Sequence, residues 1–461
     1  MIARKKISYP LISLLTLIIS CLSLACTFVV QKDVPNTSIV QEAITQQGGI
    51  SKDSFLQELV NRYVENHDFD GVISIYSKGK LVFDFAGGNH SEGFNKNTPF
   101  PIGSISKIFT AEIIQQVLSK YNKDYSSDLS MIIPGFKSKK SIQIKDLLTH
   151  SSGIPDYYNL DEFENIRDQE ITTSVFAEWV QQFSLEFDPG SQNAYSNSGY
   201  NLLAYVAETL CQCSYSELLE ATFIKPLGLH SIQSLDQMNS GKKPKGYSPG
   251  PAPEFFREPS SIHPGWLIGS GSILASSHDL IQLSKVIMKR VKENPDWKPY
   301  GWGVRQRNSQ LFLEQNGRIS GYASHFRVFP SDDVSIVVLS RIESEAVNAL
   351  AVDLTEYVFG EQVEIPEERN YMDVELSALK EYEGVYKFSP NFFVTVFQSV
   401  DGLEIATGKN QKGNASYLDP IGKDEFFFRV GNTSIQFGRD QSGKVNGLYW
   451  GGSGLYPLIH E

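Results

Sequence analysis

Ser104 and Lys107 stand three residues apart in Phe100-Pro101-Ile102-Gly103-Ser104-Ile105-Ser106-Lys107, which runs straight into Ile108-Phe109-Thr110-Ala111-Glu112-Ile113-Ile114. Proline and glycine ahead of an apolar run predict a turn feeding a helix N-terminus. Ser104 then sits at the mouth of that helix, and Lys107 lies on the same face one turn later. A serine hydroxyl is a poor nucleophile until a base takes its proton. A lysine amine can be that base if desolvation or a neighbouring cation keeps it neutral. The helix N-terminus adds partial positive charge where an oxyanion would form. The pair is a candidate nucleophile and base within one turn. Such pairs also occur as solvated helix surface, so the rest of the chain has to decide.

The chain has 461 residues, 41% of them hydrophobic, which is enough for a real core and for two or three domains. A formal net charge of -12 argues against nucleic acid or an anionic membrane surface as the main partner. Arg4, Lys5 and Lys6 precede an apolar stretch, Leu11 to Ser20, too short for a comfortable membrane span. Ile18-Ile19-Ser20-Cys21 resembles a bacterial lipoprotein box, and Ser23-Leu24-Ala25-Cys26 is a poorer second match. Residues 1–26 are therefore expected to be a signal or lipoprotein segment, with a lipid anchor through Cys21 or Cys26. Ordinary secretion and a retained anchor are the rivals, and all three place the folded part outside the cytoplasm; the expected location is the cell envelope, on its periplasmic or extracellular side. Residues 27–50 are polar and read as a tether. Cys211 and Cys213 are two apart on a helical stretch, where their side chains should diverge, so two free thiols are expected. No Cys/His spacing suggests a metal, and no cofactor is expected.

Ser51 to Asn66 has helical spacing, and residues 71–76 and 81–86 flank Ser77-Lys78-Gly79-Lys80 as a β-hairpin. Ser141 to Tyr157 reads as a short helix ending in a Gly/Pro-containing loop. Ile102-Gly103-Ser104-Ile105-Ser106-Lys107, followed by Leu147-Leu148-Thr149-His150-Ser151-Ser152-Gly153-Ile154-Pro155-Asp156-Tyr157, resembles the serine β-lactamase-related family. That family contains class C β-lactamases, D-Ala-D-Ala carboxypeptidases, D-aminopeptidases and related esterases. The resemblance implies a second motif, Tyr-x-Asn, and Tyr195-Ser196-Asn197 supplies it on a loop before a helix from Asn201 to Leu210. It implies that His150 is structural rather than part of a Ser-His triad. A phenol is a poor base unless cations lower its pKa, and Lys107 is placed to do so. Asn197 can donate to a substrate amide and to the lysine network.

The implied third motif falls in Leu311 to Ser324, where relatives carry Lys or His, a small or polar residue, then Gly on a strand lining the pocket. Here Gln315 stands in the Lys/His place, with Gly317 and Arg318 following. Gly317 lets the strand approach a substrate closely. The backbone N–H of Arg318, with that of Ser104, would form the oxyanion hole. Side chains alternate along a strand, so Arg318 cannot replace the missing charge at Gln315. The loss puts β-lactam hydrolysis and recognition of a substrate carboxylate in doubt and leaves acyl transfer intact.

Residues 238–264 form a long irregular, Pro- and Gly-rich segment, a pocket wall or filler. Strands at 326–330 and 334–340 and a helix from about Ser344 to Val358 complete the expected domain, residues 51–360, an α+β fold with an antiparallel sheet flanked by helices. Glu361 to Asn370 reads as a charged linker. Residues 371–461 carry short strands separated by Asp-Gly and Ser-Gly turns, a small antiparallel β-barrel or sandwich.

The expected protein is a serine hydrolase that attacks an amide or ester carbonyl through Ser104, with Lys107 and Tyr195 sharing the proton work and Asn197, Gln315, Gly317 and Arg318 binding substrate. Its substrate would be a small molecule or peptide: a D-amino-acid peptide, a small ester or, less favoured by Gln315, a β-lactam. The competing reading is an envelope binding or scaffold protein that keeps the fold and turns over little. The sequence leaves the oligomeric state open.

Overall fold

The computed structural model describes residues 52–459 except 90–92, 134, 139, 238–242, 391 and 409–414. The expected signal segment with Cys21 and Cys26, and the tether after it, lie outside the described residues. The described chain falls into two compact units that part between Arg369 and Asn370.

The first unit opens with helix α1, Lys52–Glu65. Its Leu56, Leu59, Val60 and Tyr63 recur at helical spacing and all are buried. The chain then makes strands β1, Gly71–Ser77, and β2, Lys80–Gly87. Between them Lys78 and Gly79 both have positive φ, 47° and 84°, as a two-residue turn with the twist of a hairpin requires. Helix α2, Ser106–Lys120, carries the residues after Ser104. Helix α3 spans Asn197–Cys211 and α4 spans Ser277–Glu293. Strands β3, Gly303–Arg307, β4, Gln310–Ile319, β5, Tyr322–Phe329, and β6, Val334–Ser340, follow, and helix α5, Ala346–Val358, ends the layer.

The six strands make one antiparallel sheet in the order β2-β1-β6-β5-β4-β3. One face packs on α1 and α5 through Leu59, Val60, Ile73, Ile75, Ile336, Val338, Leu350 and Leu354. The other face packs on the larger helical cluster, which includes Ile108 and Ile113 of α2 and Leu280 and Ile287 of α4. The edge strand β3 was not anticipated. Its sequence, Gly-Val-Arg-Gln-Arg, has one apolar residue and no alternation to read.

Three expectations are corrected. Asn197 is the first residue of α3 rather than part of a loop before it, so the helix starts four residues earlier than its apolar run. Cys211 and Cys213 form a disulfide with Cα atoms 5.3 Å apart. The two were expected to diverge on a helix, but α3 ends at Cys211 and Gln212 turns left-handed at φ 55°, which brings the side chains together. The segment Glu361 to Asn370 is not a free linker up to Arg369. Pro366 and Glu367 accept hydrogen bonds from Arg62 and Asn66, and Arg369 pairs with the buried Asp68 at 2.6 Å.

The second unit is a closed antiparallel barrel of eight strands. They are β7 Gly384–Ser389, β8 Phe392–Gln398, β9 Leu403–Thr407, β10 Ser416–Gly422, β11 Glu425–Phe428, β12 Thr433–Arg439, β13 Val445–Trp450 and β14 Leu455–Ile459. Pairing of β7 with β14, Val385 opposite Ile459 and Tyr386 opposite Leu458, closes it and leaves no edge. Strands β10 and β14 escaped the sequence reading because each holds a proline, Pro420 and Pro457, which normally demotes a strand.

Candidate active site

Ser104 lies in a tight turn, Gly103–Ile105, that leads into α2. Gly103 has φ 51°, and a Cβ there would stand 2.7 Å from the backbone nitrogen of Arg318. A Cβ on Gly317 would stand 1.9 Å from the carbonyl oxygen of Ile102. Bare glycines on both sides therefore let β4 press backbone to backbone on the Ser104 turn. Ser324, opposite Gly317 in the register, donates to the Ile102 oxygen at 2.9 Å and holds the contact.

Lys107 is 1% exposed, one turn into α2. Its Nζ donates to Ser104 Oγ at 3.0 Å, to Asn197 Oδ1 at 2.8 Å and to the Ser270 carbonyl at 2.8 Å. Three donors meet three acceptors, which saturates an ammonium. Burial drives the lysine down to about 7, against a partial upward pull from Asp156. When neutral, the amine keeps two donors for Asn197 and Ser270 and turns its lone pair to Ser104.

Tyr195 Oη is 2.7 Å from Ser104 Oγ. Its ring stands 4.9 Å from Lys107 Nζ. The expectation that Lys107 would lower this phenol is corrected: burial raises it, with the Ser104 hydrogen bond opposing. The residue is 44% exposed, so solvent reaches it and screens that rise. Burial thus favours the neutral form of both groups, the phenol of Tyr195 and the free amine of Lys107.

His150 holds the loop under this pair. Its Nδ1 accepts from the Ser196 N–H at 3.2 Å, and its ring lies 4.6 Å from that of Tyr195. Burial, then the Lys107 charge, push it down to about 3, so it stays a neutral imidazole. No hydrogen bond joins it to Ser104 among the described residues.

Asn197 faces Lys107 with its oxygen. Its Nδ2 donates to Asp156 Oδ2 at 2.9 Å, so the expected donation to the lysine is reversed into acceptance. Sequence reasoning passed over Asp156, although a carboxylate between Pro155 and Tyr157 in a loop of small and apolar residues is a signal. It also passed over Ser270, which acts through its backbone and carries no side-chain signal. Gln315 reaches the site: its Nε2 donates to the Ser104 carbonyl at 3.3 Å. Arg318 takes other partners, Glu345 at 3.2 Å and Glu343 at 3.9 Å. No group of side chains able to hold a metal exists among the described residues, and none of their helices is long and apolar enough to cross a membrane.

A sequence model of the family described as Beta-lactamase matches residues 56–355. The chain belongs to that family, and it is a serine hydrolase of the β-lactamase-related class. It is 27% identical over 305 residues to a teichoic acid D-alanine hydrolase of Staphylococcus aureus (strain MRSA252), covering 62% of this chain and 73% of that protein. It is 23% identical over 430 residues to penicillin-binding protein 4* of Bacillus subtilis (strain 168), covering 84% of this chain and 94% of that protein. The octameric penicillin-binding protein homologue from Pyrococcus abyssi shares the fold at a TM-score of 0.58, with 17% identity over 86% of this chain and 96% of that one.

Proposed function

We propose that the protein cleaves esters or amides of D-amino acids through an acyl-enzyme on Ser104. The observation that carries this is Lys107: a buried amine 3.0 Å from Ser104 Oγ whose other two donors are occupied by Asn197 and Ser270. In the proposed cycle Lys107 takes the Ser104 proton as Oγ attacks the acyl carbonyl. Tyr195 gives its proton to the departing alcohol or amine. The Lys107 ammonium, 4.9 Å from the Tyr195 ring, then returns its proton to the phenolate and restores the phenol. The backbone N–H groups of Ser104 and Arg318 receive the oxyanion. Water then enters by the reverse proton path and releases the acid.

Gln315 supports an acyl donor without a free carboxylate beside the cleaved bond. It offers an amide where a cation would hold an anion, and that amide is already bound to the Ser104 carbonyl. A D-aminoacyl ester fits that condition, and a relative named for hydrolysing D-alanine from teichoic acid supports the same class. A location on the outer side of the membrane, lipid-anchored through Cys21 or Cys26, is part of this proposal and rests on the basic and apolar N-terminal residues.

A fluorophosphonate probe and a labelled penicillin, with mass spectrometry of the modified peptide, test the reading. Ser104 should carry the fluorophosphonate adduct, penicillin should label it far more slowly, and Ser104→Ala should carry neither. Labelling that persists in Ser104→Ala defeats the assignment of the nucleophile, and wild type that takes neither reagent leaves the scaffold reading.

A further inference from the structure

Asp156 is the charged group nearest the site that the proposed cycle does not use. It is buried, at 8% exposure. Tyr157 beside it is fully buried among the rings of Phe163, Phe176 and Trp266, at centroid distances of 4.9, 5.5 and 5.8 Å. Ser198, in the first turn of α3, accepts from the Tyr157 N–H at 3.0 Å and donates to the Pro155 carbonyl at 2.7 Å. The turn that carries Asp156 is therefore pinned to the helix that carries Asn197.

The chemistry of the contact has one solution. A carboxylate only accepts, so Asn197 must present its NH2 to Asp156 and its oxygen to Lys107. We infer that Asp156 is a positioning residue for acyl transfer: its carboxylate locks the Asn197 amide with Oδ1 toward Lys107 and places a buried negative charge beside the lysine. This rests on the Ser104–Lys107 reading above.

The groups facing the carboxylate are Lys107 from α2, Tyr195 from the segment before α3, and Tyr157 and Tyr158 from its own turn. His150 faces Lys107 and is neutral. Burial raises Asp156 to about 6, with the Lys107 charge as the largest opposing pull. Once protonated, Asp156 has one carbonyl oxygen left for two donors, the Asn197 NH2 at 2.9 Å and the Tyr158 N–H at 3.4 Å, and no charge to face Lys107, so the lock weakens. Only the state with Asp156 ionised and Lys107 neutral is then active. Both protons must leave, and the two groups titrate as a coupled pair.

The rate of hydrolysis of a p-nitrophenyl ester, with fluorophosphonate labelling of Ser104, measured from pH 4.5 to 8.5, tests this. Below about pH 6 the logarithm of kcat/KM for wild type should fall with a slope of two. Asp156→Asn should fall with a slope of one. Its limb should move to lower pH by about one unit because Lys107 loses the charge that held it up, and its plateau should drop roughly ten- to a hundredfold because the amide is no longer locked. Asp156→Glu, which keeps the charge, should keep the slope of two. A wild-type slope of one overturns the inference even if Asp156→Asn does not fold, and so does an Asp156→Asn limb that stays in place while only the plateau falls. Wild type that fails to take the probe at Ser104 defeats the parent reading instead.

Discussion

At the scale of single residues the site is decided by which group burial favours. Lys107 and Tyr195 both touch Ser104 Oγ, but desolvation acts oppositely on an amine and a phenol. It brings Lys107 down to about 7 and takes Tyr195 further from neutrality. Activity should therefore rise with pH through the lysine and level off above about 7. Lys107→Met should lose at least about a thousandfold in kcat/KM and keep a single limb of slope one, that of Asp156. A slope of two surviving in Lys107→Met would assign the second proton to another group. The same depression costs stability, because below 7 the fold must hold an ammonium that water holds better. That cost fades as pH rises from about 7 toward the ordinary lysine value of 10.5. At Gln315 the missing element is charge. Gln315→His or Gln315→Lys should raise the rate of Ser104 acylation by labelled penicillin about ten- to a hundredfold relative to a neutral ester, since one charge-assisted contact is worth roughly 1.5–3 kcal/mol. An unchanged ratio of the two rates would mean that another wall of the pocket rejects the carboxylate.

At the scale of elements the site depends on how closely β4 meets the turn before α2. Gly317→Ala places a methyl 1.9 Å from the Ile102 carbonyl, and neither backbone segment is a flexible side-chain end that can swing aside. The strand must retreat, and with it the Arg318 N–H. The expected result is a loss of roughly a hundred- to a thousandfold in kcat, the cost of one oxyanion donor, with 1–3 kcal/mol of stability. A chain with full activity and a lowered melting temperature would show that the Arg318 N–H does not serve the reaction. The elements that carry chemistry were legible because their periods are regular: Ser104 at a helix mouth, and Gln315, Gly317 and Arg318 on one strand. What escaped follows from what the sequence does not encode locally. Asn197 begins a helix whose apolar face starts four residues later. Strand β3 is a polar edge. Cys211 and Cys213 meet only because Gln212 leaves the helix. Asp156 acquires its partners from α2 and α3, which are close in space and distant along the chain.

At the scale of the molecule the two units each bury a core of their own. Tyr386, Val394, Ile435, Phe437 and Leu448 are internal to the barrel. Its eight strands satisfy one another and close on themselves. The sheet of the first unit is likewise complete without it. A chain ending at Arg369 is therefore expected to fold and to acylate Ser104 within about twofold of the full-length rate, whereas one ending at Gly360 should be strongly destabilised. The difference lies in residues 361–369. They supply the hydrogen bonds to Arg62 and Asn66 and the Arg369 cation beside Asp68, a carboxylate with 0% exposure. Removing the cation from a buried pair costs about 3–5 kcal/mol, a large share of the stability of any domain. Denaturant unfolding followed by circular dichroism, with probe labelling of each truncated chain, separates the outcomes. Equal stability of the two truncations would show that the Arg369 pair contributes nothing. A chain ending at Arg369 that folds but no longer labels would make the barrel part of the catalytic unit, against the independence argued from its closed sheet.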